Sequence, residues 1–291
     1  MQTANELQDR LDLTAYVHAV DLATGAEVGL RADDSVVAAS VFKVPVLVEV
    51  CRQIAAGEHA ATDRIDLPTE AFAVLGPTGL SVTSDAVSLS LRDLYLSMMS
   101  VSDNRATDVV MDLVGRDRIN ATMVELGLPG TVLEGDCGHL FTQLHEDLGL
   151  GPEETLTESD AMLSQAVLGT RPLDPDRSNR TTPSETTRLL SRVWTDDGIP
   201  AAACAEARRV LGRQVWPHRL RSGFSDGVTV SGKTGTLASV RNEVGVVEFS
   251  DGGRYAVAVF LRMARPAGVA PDVDRSIGTL GAAAVAELRG S

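Results

Sequence analysis

Ala39-Ser40-Val41-Phe42-Lys43-Val44-Pro45 places a serine and a lysine three residues apart at the head of an apolar run. On a helix, positions i and i+3 share a face, so the Lys43 amine can reach the Ser40 hydroxyl. A serine is a poor nucleophile until a base removes its proton, and a lysine can do so only where burial or nearby positive charge keeps it partly neutral. If Ser40 opens the helix, its backbone N–H points to where an oxyanion would form, with the helix dipole behind it.

The rest of the lysine inventory gives this pair weight. Of 26 Lys plus Arg only two are lysine, Lys43 and Lys233. Lys233 stands in Ser231-Gly232-Lys233-Thr234-Gly235-Thr236, after the strand-like Val228-Thr229-Val230. A chain that otherwise uses arginine keeps lysine where a compact, titratable ammonium cannot be replaced by an always-charged guanidinium.

A third motif, Ser102-Asp103-Asn104, lies between them. Ser-X-X-Lys, Ser-Asp-Asn and Lys-Thr-Gly in that order are the signature of class A β-lactamases and related penicillin-binding proteins, and the chain resembles that family along most of its length. The resemblance implies an α+β fold: an antiparallel sheet flanked by terminal helices, built from 1–38 and 216–291, with an all-α lobe, 39–215, inserted between. It implies Ser40 as the acylated nucleophile, Lys43 as its base, and Ser102, helped by Lys233, as proton donor to the leaving group. Asn104 would bind a substrate amide. Lys233, Thr234 and Arg241 on or beside the Lys233-Thr234-Gly235-Thr236 edge strand would hold a substrate carboxylate, and the N–H groups of Ser40 and Thr236 would form the oxyanion hole.

The resemblance also calls for a glutamate that activates water against the acyl-enzyme. No clean copy of its Glu-X-X-Leu-Asn loop exists between Gly127 and Arg180; Glu153, in Glu153-Glu154-Thr155-Leu156-Thr157, is the partial match, and Glu134 is a further candidate. Without a placed base an acyl-enzyme is hydrolysed slowly or hands its acyl group to another nucleophile. Three readings follow: a serine hydrolase opening a β-lactam or related amide or ester, an intracellular transacylase or esterase on the same scaffold, and a non-catalytic binding module.

Composition bounds these readings. The 291 residues suffice for one large domain or two interlocked lobes. A net charge of −14 speaks against nucleic acid or an anionic membrane surface as partner; the resemblance implies a small acyl substrate and no metal or organic cofactor. Met1 to Arg10 has neither a basic region nor an apolar core, the pattern of a cytoplasmic protein rather than a secretory signal. Cys51, Cys137 and Cys204 show no metal spacing and read as free thiols.

Local signals place the elements. Leu13 to Asp21 and Glu27 to Arg31 read as a hairpin across Thr24-Gly25. Val44, Leu47, Val48, Cys51 and Ile54 space a buried helix ending near Gly57, in which Pro45 threatens a hydrogen bond to the Val41 carbonyl. Ser90 and Thr182-Pro183 open further helices. The strand before Lys233 should pair with Glu243 to Ser250, which turns at Asp251-Gly252-Gly253 into Tyr255 to Leu261, and a helix follows over 272–289.

Overall fold

Strands buried on both faces build the centre of the sheet, and a computed structural model describing residues 2–68, 76–150 and 164–290 shows where each face goes. In chain order the elements are α1 (Gln2–Leu11), β1 (Leu13–Asp21), β2 (Glu27–Leu30), β3 (Val36–Val37), α2 (Lys43–Ala55), β4 (Arg64–Leu67), β5 (Val87–Ser90), α3 (Leu91–Ser100), α4 (Asn104–Val114) and α5 (Arg116–Glu125). There follow α6 (Cys137–Asp147), β6 (Arg180–Thr181), α7 (Pro183–Thr195), α8 (Ala201–Leu211), β7 (Thr229–Leu237), β8 (Val240–Glu248), β9 (Arg254–Met263) and α9 (Pro271–Gly290).

Strands β2-β1-β9-β8-β7 form one antiparallel sheet in that spatial order. Leu13, Ala15, Val17 and Ala19 of β1 share a face with Val257, Val259 and Leu261 of β9, packed under Ile277, Leu280 and Val285 of α9. Ala256, Ala258 and Phe260 point the other way and join Val44, Leu47 and Val48 of α2 and Leu189, Leu190 and Val193 of α7 in a second core. Successive strand residues face opposite sides, so one sheet serves both layers. The stretch read as an all-α insert holds α2 to α8, but β4 also pairs with β5, and β6 pairs with β3.

The helix signals act as their chemistry requires. Ser90 Oγ accepts from Asp93 N at 3.1 Å, and Thr182 Oγ1 accepts from Glu185 N at 3.1 Å with Pro183 at the first helical position. The feared break at Pro45 does not arise. A 3-10 turn, Ala39–Phe42, precedes α2, so Pro45 falls in the first turn of the α-helix, where an N–H would find no intrahelical acceptor. His18 is buried, its Nδ1 sharing a 2.6 Å hydrogen bond with Thr187 Oγ1.

Asp103 shows how a loop is locked to the helices. It caps α4 through Ala106 N at 3.0 Å and accepts from Leu80 N at 2.8 Å and Ser97 Oγ at 2.7 Å. Gly79, at φ +62°, lies so close that a Cβ there would fall 2.1 Å from Asp103 Oδ2. Gly79→Ala combines a left-handed conformation with that clash, and we expect a loss on the order of 1–3 kcal/mol in denaturant unfolding. An unchanged midpoint would mean that the loop moves aside without cost.

Candidate active site

Three segments meet at a cleft of about 490 Å³: the turn bearing Ser40, the α3–α4 junction, and the open edge of β7. The Ser40 turn is pinned to the sheet. Asn242 Nδ2 of β8 donates to Val37 O at 3.0 Å and Ala38 O at 3.1 Å. Gly235 is required beside it, because a Cβ would stand 2.9 Å from Ala38 O. Ala39 and Ser102 both hold positive φ, +45° and +63°, so two of the three segments carry backbone strain that the surrounding packing must sustain.

Lys43 is fully buried, and its side chain runs to the α3–α4 junction. Its Nζ donates to Ser102 O at 2.8 Å, Asn104 Oδ1 at 2.8 Å and Ser102 Oγ at 3.3 Å. Among the described residues no hydrogen bond joins it to Ser40, which lines the cleft instead with Ser102 and Asn104. Lys233, also fully buried, donates from the opposite side to Ser102 Oγ at 2.9 Å and to Thr234 O at 2.8 Å. The Ser102 hydroxyl therefore sits between the two lysines of the chain. Burial lowers the pKa of both amines; for Lys233 the neighbouring Lys43 and Arg219 charges lower it further, so it falls well below the ordinary lysine value.

Thr234 N donates to Gln214 Oε1 at 2.6 Å, away from β8. Two residues on, the Thr236 N–H faces the same open edge by strand alternation. Gln214 Nε2 in turn donates to Glu243 Oε1 at 2.6 Å; burial pushes this carboxyl up to about 7.

Two sequence expectations are corrected. Arg241, expected at a substrate carboxylate, does not line the cleft. It is 1% exposed, and its guanidinium is spent on the carbonyls of Leu237, Val240, Ala267 and Gly268. The cleft's arginine is Arg219, which donates to Asp274 Oδ1 at 2.7 Å, Thr236 Oγ1 at 2.8 Å, and the carbonyls of Gly235 and Asn242 at 3.0 Å each. Glu134 also lies off the cleft, paired with Arg180 at 2.6 Å. Glu153 lies outside the described residues.

At the Lys43 side the structure brings in a residue that the sequence did not single out for this role. Cys137, first residue of α6, donates from Sγ to Asn104 Oδ1 at 3.5 Å and lines the cleft. Asp108 holds its backbone, accepting from Cys137 N at 2.8 Å and Gly138 N at 3.0 Å. Burial pushes the Cys137 thiol up, which keeps it protonated and a poor base. The residues lining the cleft include no aspartate or glutamate among those described. The signal for α6 was present as Asp136, a cap, followed by Leu140, Phe141, Leu144 and Leu148 at helical spacing.

An α+β sandwich with a Ser-X-X-Lys turn facing Ser-Asp-Asn and Lys-Thr-Gly is the arrangement of the β-lactamase and penicillin-binding-protein fold. The model of the β-lactamase enzyme family matches residues 2–288, and the chain belongs to that family. It is 30% identical over 294 residues to the β-lactamase regulatory protein BlaB of Streptomyces cacaoi, covering 92% of each. Among solved structures it resembles a β-lactamase of Sphaerobacter thermophilus at 25% identity and a TM-score of 0.78, covering 99% of this chain and 97% of the other. A point mutant of PBP-A, solved as an acyl-enzyme complex with penicillin G, shares the fold at 19% identity and a TM-score of 0.76, covering 98% and 97%.

Proposed function

We propose that the chain is a serine acyl hydrolase in which Ser40 is acylated by a β-lactam or a related amide or ester, and in which release of the acyl group is slow. The observation that carries this reading is the run of hydrogen bonds Lys43–Ser102–Lys233 under a cleft that Ser40 lines. Neutral Lys43 takes the Ser40 proton as Oγ attacks the carbonyl carbon. The N–H groups of Ser40 and Thr236 receive the oxyanion. The carbon–nitrogen or carbon–oxygen bond then breaks, and the leaving atom takes a proton from Ser102, which Lys233 replenishes. Asn104 and Thr234 orient the amide and the carboxylate of the substrate.

Slow release rests on Cys137. A protonated thiol beside Asn104 does not pull a proton from water as a carboxylate would. The similarity to a regulatory protein favours a second reading on the same chemistry, in which a long-lived acylated form acts as a signal rather than as an intermediate. An acceptor amine or alcohol in place of water would make the chain a transacylase.

Intact-protein mass spectrometry over time with a penicillin tests this. The expected result is an adduct of the penicillin's mass, stable over many minutes and missing in Ser40→Ala. Prompt loss of the adduct with hydrolysed product would overturn slow release, and loss only with an added amine would favour transfer. No adduct with penicillins or acyl esters would sink the acyl-enzyme.

A further inference from the structure

The segment Gln214-Val215-Trp216-Pro217-His218-Arg219-Leu220 brings Trp216, His218 and Arg219 to the cleft, yet it lies outside any helix or strand until a short 3-10 turn begins at Leu220. Residues 215–218 are exposed, so little packing fixes their path. Val215 N donates to Ser100 O at 3.2 Å, and a single carboxylate holds both ends of the segment. Glu243 of β8, fully buried, accepts from Gln214 Nε2 at 2.6 Å on one oxygen and from Leu220 N at 2.6 Å on the other. It is not among the residues lining the cleft. A buried carboxylate is costly unless hydrogen bonds and opposite charge answer it, and the charges facing this one are Arg219 and Lys233.

The carboxylate also decides which way the Gln214 amide points. Ionised, it only accepts, so the Gln214 NH2 turns to it and the Gln214 carbonyl turns to Thr234, whose N–H donates at 2.6 Å. Thr234 lies opposite Glu243 in the pairing of β7 with β8. With the amide reversed, its NH2 would meet the Thr234 N–H, donor against donor. Glu243 thus fixes the edge of β7 through Gln214, and the backbone next to Arg219 through Leu220.

Resting on the acyl-enzyme reading, we propose that Glu243 is a positioning residue for the reaction: through Gln214 and Leu220 it sets Thr234 and Arg219 to receive the carboxylate end of the acyl donor, without touching the donor itself. Its effect falls on capture of the substrate, ahead of the covalent step at Ser40.

Glu243→Gln keeps the shape but replaces one acceptor by an NH2, so one of the three contacts, at Leu220 N, Gln214 or Thr234 N, must set donor against donor. Adduct formation followed by mass spectrometry over a range of penicillin concentrations gives a half-saturating concentration and a limiting rate. In Glu243→Gln the first should rise roughly tenfold or more, while the limiting rate stays near that of wild type. Adding Gln214→Glu exchanges the roles: the amide at 243 accepts from Leu220 N and donates to the carboxylate at 214, which also accepts from Thr234 N. The double variant should therefore regain most of the lost capture. Unchanged half-saturation in Glu243→Gln, a loss confined to the limiting rate, or a double variant no better than the single one would overturn the proposal. If Glu243→Gln fails to fold, a double variant that folds and captures penicillin like wild type supports it, and one that also fails overturns it. If wild type forms no adduct, the acyl-enzyme reading fails, and calorimetric binding of the same penicillin decides Glu243: weaker binding in the single variant, restored in the double, supports positioning, and equal binding or none overturns it.

Discussion

Lys43→Met is expected to slow acylation of Ser40 by roughly three orders of magnitude, within the range for loss of a positioned general base, while the chain still folds. A lysine with no exposed surface is held there at a cost, and burial lowers its pKa from the ordinary value of 10.5 against the opposing pull of Cys137, Asp103 and Asp108. Methionine removes that desolvation penalty but takes the lysine's hydrogen bond from Ser102 O and from Asn104 Oδ1, two effects of opposite sign. The pH dependence separates them. Folded Lys43 loses its proton below 10.5 whereas unfolded Lys43 keeps it to that value, so the unfolded chain binds more protons between the two. The penalty is therefore fully present below the depressed value. It is relieved as pH rises toward 10.5, so wild type gains stability relative to Lys43→Met over that interval. The acylation rate should rise over an acid limb that also inflects below 10.5. Acylation within tenfold of wild type in Lys43→Met would assign the base elsewhere.

Arg219→Met should be the more damaging change to the fold. Arg219 is 4% exposed, and its fork ties Asp274 of α9 to Gly235, Thr236 and Asn242 on two strands. Removing one partner of a buried pair typically costs about 3–5 kcal/mol, because the other charge remains without its counterpart. Among the described residues, the charge partner left to Asp274 is Arg241, at 3.8 Å. Unfolding in denaturant would measure the loss, and Asp274→Leu added to Arg219→Met should restore part of it. A double variant no more stable than the single one would show that the lost carbonyl contacts, not the stranded carboxylate, carry the cost. Acylation by carboxylate-bearing substrates should fall as well, since the cleft loses a cation and the support of Thr236.

Much of this was readable before any coordinates. The hairpin of β1 and β2, the caps at Ser90 and Thr182, and the strands around Lys233 rest on local rules, and local rules decided them. The two lysines were marked by composition, and both converge on Ser102. What was not legible depends on register and on long connections. Arg241 sits at a plausible distance from Lys233 along the chain, yet its side chain is consumed by carbonyls of its own turn and of 267–268, a fact of tertiary packing. Arg219 lies in a loop without periodicity, and only the folded sheet brings it to the cleft. Cys137 is the free thiol it was read as, but nothing local reveals that α6 opens against Asn104. Ser40 was expected within an α-helix; it occupies a 3-10 turn ahead of it, because Asn242 and the missing side chain of Gly235 draw that segment onto the sheet.

The pairing of β1 with β9, from Leu13 opposite Met263 to Asp21 opposite Tyr255, sets the order in which the protein can be assembled. During synthesis β1 leaves the ribosome with β2 as its available neighbour, its other edge unpaired and its Leu13, Ala15 and Val17 uncovered until β9 and α9 follow. The helices of the middle segment can collapse earlier around α2, but the half of the cleft that holds Lys233 does not yet exist. Contacts so distant in sequence are slow to form, and the waiting strand edge is where nascent chains would stick to one another. Refolding should therefore be late to regain ligand binding relative to helix formation, and its yield should fall as protein concentration rises.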